Sequence, residues 1–153
     1  MQARRVMTVK VTAVPPEYPL DAAARLMQKL RVRHLPVVLA GKLCGIVSDR
    51  DVLLRTTLHA DGRREVSRAA VGEAMTTCPI AANPTTSVST LATLMLENRF
   101  DALPVVTPDE TLIGLVTSTD LLELLRHPDR LTDELPFDFE LLPAPAAAAG
   151  LPA

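Results

Sequence analysis

From Asp21 the apolar residues Ala23, Leu26, Met27 and Leu30 fall at i, i+3, i+4 and i+7, a stripe along one helical face. Leu91, Leu94 and Met95 repeat that stripe further along the chain. Each stripe is followed by short valine-rich runs. Leu35–Leu39 and Leu43–Val47 are separated by Ala40-Gly41-Lys42, and their counterparts flank Thr107–Thr111 with its Pro-Asp turn signal. Such runs, bounded by turn residues, predict paired strands. A second helix is predicted to start near Ser48, and another near Thr117 or Ser118 that carries Leu121, Leu122, Leu124 and Leu125. Past Arg126 the periodicity decays.

The pattern occurs twice. Met7–Val38 returns as Met75–Val106, and Leu43–Leu53 returns as Leu112–Leu122. Two copies point to a pseudo-twofold pair, because stacked solenoid repeats need at least three units. The expected fold is α/β (α+β), and function is to be sought where the copies meet. We place the first unit at 1–60, a linker at 61–68 in a charge-rich stretch around Gly62, and the second unit at 69–127. The remainder, 128–153, is rich in Pro and Ala and is expected to be largely flexible beyond about Leu142. Phe137 and Phe139 either anchor that tail to the body or a second subunit, or are simply exposed.

Composition narrows the possibilities. Of 153 residues, 48% are hydrophobic and only 3% aromatic, so the core is built from aliphatic side chains and Met. A half of about 60 to 70 residues buries too little apolar surface to stand alone, so the halves should share a core. A formal charge of −2, with no basic block or aromatic cluster, argues against nucleic-acid binding. No apolar run approaches the ~18 to 20 residues needed to span a bilayer, and Met1–Arg5 does not open a signal peptide, so the expected location is cytoplasmic. Cys44 fills the slot of Ile113 in the other copy and reads as a small buried hydrophobe, and Cys78 is given the same default.

Chemistry concentrates at the strand-to-helix junctions, Gly45-Ile46-Val47-Ser48-Asp49-Arg50-Asp51 and Gly114-Leu115-Val116-Thr117-Ser118-Thr119-Asp120. A hydroxyl residue followed three positions later by an acid is a capping box that satisfies unpaired amides at a helix start. The same junction also offers amide donors and a positive dipole to an anion, and the glycine permits close approach. A carboxylate beside such a terminus is able to take the vicinal hydroxyls of a ribose.

The span from Met7 to about Leu125 resembles a tandem pair of cystathionine-β-synthase (CBS) domains, the Bateman module. The resemblance rests on the repeated Met-Thr opening (Met7-Thr8, Met75-Thr76), the repeated Leu-Pro-Val-Val and the two glycine, hydroxyl, aspartate junctions. It implies two pseudo-twofold-related β-α-β-β-α units with their small sheets packed together and a ligand cleft at each junction. It further implies that Asp51 and Asp120 hold the ribose of an adenosine ligand, with Ser48 and Thr117 near its phosphates. Backbone at Thr12-Ala13 and Ile80-Ala81 would read the adenine edge. Face-to-face homodimers are also implied.

The copies differ where charge matters. Arg50 is replaced by Thr119, and Arg33-His34 by Asp101-Ala102. Because cations strengthen phosphate binding, the cleft of Asp51 and Arg50 is expected to be the better nucleotide site, with Arg33 and His34 assigned to neither cleft. His34, His59 and His127 have no metal-ligand spacing, and no nucleophile, base or phosphate loop of recognised pattern is present. The reading is therefore a non-catalytic, energy-sensing regulatory module with an adenine nucleotide (AMP, ADP, ATP or similar) as ligand. It needs no obligatory cofactor, and an unidentified protein would be regulated. The alternative is a ligand-free dimerisation or docking scaffold.

Overall fold

The computed structural model describes residues 1–127 and 138–144. In the first copy, β1 (Lys10–Ala13) leads to α1 (Leu20–Leu30), then β2 (His34–Leu39), β3 (Lys42–Ser48) and α2 (Asp49–Leu54). After a hairpin of β4 (Thr56–Leu58) and β5 (Arg64–Val66), the second copy runs β6 (Thr76–Thr77), α3 (Val88–Asn98), β7 (Ala102–Val106), β8 (Leu112–Thr117) and α4 (Ser118–Arg126). The predicted helices and strands are all present, and the β-α-β-β-α order holds in both copies. Ala23 and Met27 of α1, and Leu91 and Met95 of α3, are buried as the stripe requires. The β2–β3 turn puts both Ala40 (φ 50°) and Gly41 (φ 78°) in left-handed backbone, the geometry that matches the twist of a tight hairpin.

β2 and β3 pair antiparallel, as do β7 and β8, with a register shift at Val37/Val38 and at the matching Val105/Val106. Val14 bridges Val37 and Ala82 bridges Val105, both in parallel, so the copies agree even in this detail. The openings of the copies, however, are exchanged. β6 lies against β3 of the first copy, and Thr8 bridges Leu115 of β8 in the second. Ala3, Val6 and Met7 accordingly pack in the core of the second copy, whereas Val71, Ala74 and Met75 pack in that of the first. A third cluster, formed by Val11, Ala13, Val38, Ala102, Leu112 and Leu115, joins the two sheets into the shared core that the short halves demand.

Gly45 and Gly114 follow from this exchange. A Cβ on Gly45 would overlap the Met75 sulfur, and one on Gly114 would sit 2.6 Å from Met7 Sδ. The sequence reading gave these glycines to the approach of a ligand; the structure gives the space to a methionine of the other copy.

Three further features depart from the sequence reading. Arg64–Val66, inside the expected linker, is paired with Thr56–Leu58. Within the expected tail, β9 (Asp138–Leu141) runs parallel to β1, and Leu142 and Ala144 pack on the first core. A strand forms there because β1 has an open edge, and the apolar Leu142 and Ala144 gain burial beside it. Phe137 lies outside the described residues, as do Pro128, Pro136 and the run from Pro145. Cys78 is exposed and not buried, while Cys44 packs against the first core but is only half-buried where full burial was expected.

Candidate functional site

Two clefts open where the copies meet, and the exchange of openings makes each a composite. The first, about 540 Å³, is lined by Ser48, Arg50 and Asp51 from the first junction, Thr76 and Ile80 from the second opening, and Asn98, Arg99 and Phe100 from the end of α3. The second, about 410 Å³, is lined by Thr117, Thr119 and Asp120, by Thr8, Lys10 and Thr12, and by Leu30–Pro36 at the α1–β2 corner. Arg33, His34 and Asp101 line both, so the pair that sequence left unassigned forms a wall between the clefts.

Both junctions are complete capping boxes. Ser48 N and Oγ donate to Asp51 Oδ2 at 2.7 and 2.9 Å, and Asp51 N donates to Ser48 Oγ at 3.3 Å. Thr117 and Asp120 repeat the arrangement at 2.6, 2.8 and 3.2 Å. Each hydroxyl is thus engaged within its own box. Asp49 N donates to Arg33 O, and Ser118 N to Asp101 O, so the first amide of each helix is also taken. Any anion here would have to be met mainly by side chains, a departure from the expected helix-terminus site. What distinguishes the two boxes is the outer carboxylate oxygen. Asp120 Oδ1 receives the Thr8 hydroxyl at 3.5 Å, while among the described residues Asp51 Oδ1 has no hydrogen bond.

Charge is balanced differently in the two clefts. In the first, Arg33, Arg50 and Arg99 face Asp49, Asp51 and Asp101; in the second, Lys10, Arg31 and Arg33 face Asp101 and Asp120. Arg50 therefore does not by itself make the first cleft more cationic, because Asp49 stands beside it. Burial holds the His34 imidazole below its ordinary value and Arg33 adds to this, against the opposing pull of Asp49, Asp101 and Asp51.

The adenine-edge positions divide. Thr12 lines the second cleft and Ile80 the first, but Ala13 and Ala81 line neither. Ala13 is fully buried in the shared core, and its carbonyl accepts the Leu142 amide at 3.0 Å. Sequence reasoning missed Phe100, Arg31 and Lys10 as cleft residues. Arg31 and Arg99 were detectable, since the repeat aligns them with each other. Both occupy left-handed backbone (φ 55° and 56°) at a helix C-terminus, where glycine is usual, and Arg31 lines the second cleft and Arg99 the first. Among the described residues no group of three or more His, Cys, Asp or Glu is arranged to hold a metal ion, and no helix is long and apolar enough to cross a membrane.

Comparison with known proteins matches the CBS domain model at residues 3–56 and 71–127. A CBS domain-containing protein of Bacillus subtilis, YhcV, is 37% identical over 116 residues, which cover 75% of this chain and 79% of that protein. Inosine-5'-monophosphate dehydrogenase of Korarchaeum cryptofilum is 34% identical over 81% of this chain, but the match spans only 24% of that enzyme. Among solved structures, CBSX2 in complex with AMP is similar with a TM-score of 0.71 at 29% identity, covering 83% of this chain and 97% of that one. The CBS domain pair of MJ0100 in complex with 5'-methylthioadenosine and S-adenosyl-L-methionine is similar with a TM-score of 0.70 at 25% identity, over 82% of this chain and 99% of that one. With two family matches over most of its length, superposed on the same two units that its repeat defines, the chain belongs to the CBS domain family.

Proposed function

We propose that this chain is a non-catalytic regulatory module that binds an adenosine-containing ligand in the clefts between its two CBS repeats and passes the signal to another protein. One observation carries the reading: each motif aspartate, fixed by its capping box, faces a cleft whose apolar wall comes from the other copy. In the first cleft that wall includes Ile80 and Phe100, which are 40% and 36% exposed and are suited to cover an adenine ring. Asp51 Oδ1 is open to a ribose hydroxyl, and Arg33, Arg50 and Arg99 are at hand for phosphate. The complexes of CBSX2 with AMP and of the MJ0100 pair with methylthioadenosine and S-adenosylmethionine support the adenosine class.

The first cleft is the tighter site in this reading. The outer oxygen of its carboxylate, Asp51 Oδ1, has no hydrogen bond among the described residues, and its opening strand carries no added strand, whereas Asp120 Oδ1 already holds Thr8 and the Thr12-Ala13 backbone is paired with β9. A ligand present at a hundred times its Kd raises stability by about 2.7 kcal/mol. A thermal-shift panel of AMP, ADP, ATP, S-adenosylmethionine, methylthioadenosine and NAD should therefore raise the midpoint for at least one compound, and Asp51→Ala should remove most of that rise. A panel without any shift would end the proposal, and loss on Asp120→Ala alone would reverse the order of the sites.

A second reading, a dimerising or docking scaffold, is favoured by the helix surfaces. Leu53 and Leu54 of α2 and Leu122 and Leu125 of α4 are 63–79% exposed. Burying such a side chain gives about 1.5–3 kcal/mol, so a second copy of this chain is the proposed occupant. The two readings are compatible in a ligand-binding homodimer. A flat ligand panel together with a stable dimer in sedimentation would leave the scaffold alone.

A further inference from the structure

We propose that Cys44 and Cys78 form a reversible disulfide, a modification site whose co-substrate is a low-molecular-weight disulfide. The β3–β6 register pairs Ile46 with Thr76 and Gly45 with Thr77, and its next step sets Cys44 opposite Cys78. Cys78 N closes that step by donating to Cys44 O at 3.2 Å. Residues opposed across a hydrogen-bonded step of an antiparallel pair have Cα atoms about 5.5 Å apart, inside the roughly 4.4–6.8 Å that a disulfide spans. These are the chain's two cysteines, and one comes from each copy.

The two thiols have distinct roles. Cys78 is exposed, on left-handed backbone (φ 46°), and open to a reagent. Cys44 is half-buried and donates to Val37 O at 3.3 Å, and burial pushes its thiol up, so it is the resolving partner. The Cys78 thiolate attacks one sulfur of the co-substrate RSSR; the S–S bond breaks, and one RS⁻ leaves. Cys44, giving up its proton, then attacks the Cys78 sulfur of the mixed disulfide and expels the second RS⁻. The protein loses two electrons and two protons, and RSSR becomes two RSH.

Thr76 and Ile80, which flank Cys78, line the first cleft, so the bond would tether its wall to the other copy. That consequence rests on the reading of the cleft as a ligand site; the bond itself does not. The test is to incubate the native protein in excess glutathione disulfide and follow intact mass and a non-reducing peptide map. The expected result is loss of two hydrogens, a single Cys44–Cys78 link within one chain, and full reversal by dithiothreitol. Cys44→Ser, whose hydroxyl is able to keep the Val37 contact, should trap one glutathione on Cys78, and Cys78→Ser should stay unmodified. Stable glutathione adducts without a link in the native protein, a link between two chains, or no reaction would each overturn the proposal.

Discussion

Arg31 and Arg99 show a conflict between fold and site within single residues. Each sits in backbone that glycine adopts without steric cost, and each lines a cleft. Arg99→Gly should therefore stabilise the protein by roughly 0.5–1 kcal/mol while weakening nucleotide binding at the first cleft, and Arg31→Gly should do the same at the second. Urea unfolding and calorimetric titration measure the two effects separately. An Arg99→Gly protein that is less stable would remove the strain argument. His34 gives the second prediction at this scale. Its folded value lies below the unfolded one, so its contribution is present above about pH 6.5 and is lost as the pH falls through the folded value. The facing groups are Asp49, Asp101, Asp51 and Arg33. Stability measured between pH 8 and pH 5, on the order of one titration step either side of 6.5, should fall more steeply for the native chain than for His34→Gln.

At the scale of elements, the crossed openings set the geometry. β6 reaches β3, Thr8 reaches β8, and a methionine seals each crossing over a motif glycine. Gly45→Ala should destabilise the protein by about 1–3 kcal/mol through overpacking against Met75, and adding Met75→Ala should recover part of that loss. Additive losses in this double-mutant cycle would show that the glycine has another purpose. The hairpin tips are also joined: Lys42 Nζ donates to Asp109 O and, at 2.6 Å, to Asp109 Oδ2, and Leu43 N donates to Glu110 O. The Lys42 ammonium and the Thr107 and Thr111 hydroxyls hold the Asp109 carboxyl well below the usual carboxylate range. Both tips are exposed to solvent, so this clasp orients the copies more than it stabilises them.

For the whole molecule, the exchange makes the halves interdependent. A fragment of residues 69–127 lacks Ala3, Val6 and Met7, and one of residues 1–60 lacks Val71, Ala74 and Met75, so each loses part of its own core as well as the shared one. Neither fragment should show cooperative thermal unfolding alone, and mixing the two should restore a transition monitored by circular dichroism. A fragment that folds by itself would show that the exchange is dispensable.

The duplicated 3.6 and 2.0 periodicities, the turn residues and the capping boxes by themselves determined the elements, the two-copy plan, the family resemblance and the two motif aspartates. These are local features, settled by contacts a few residues apart along the chain. Tertiary structure decided which opening meets which junction, and hence that Asp51 shares a cleft with Ile80 and Phe100 while Asp120 shares one with Lys10 and Thr12. It also decided that Ala13 is buried, that Cys78 stands exposed opposite Cys44, and that residues 138–141 add a strand to β1. None of these is encoded in a local pattern, because a strand's partner is chosen by burial of side chains distant in sequence. The same short Met-Thr opening would fit either sheet until the whole core is closed.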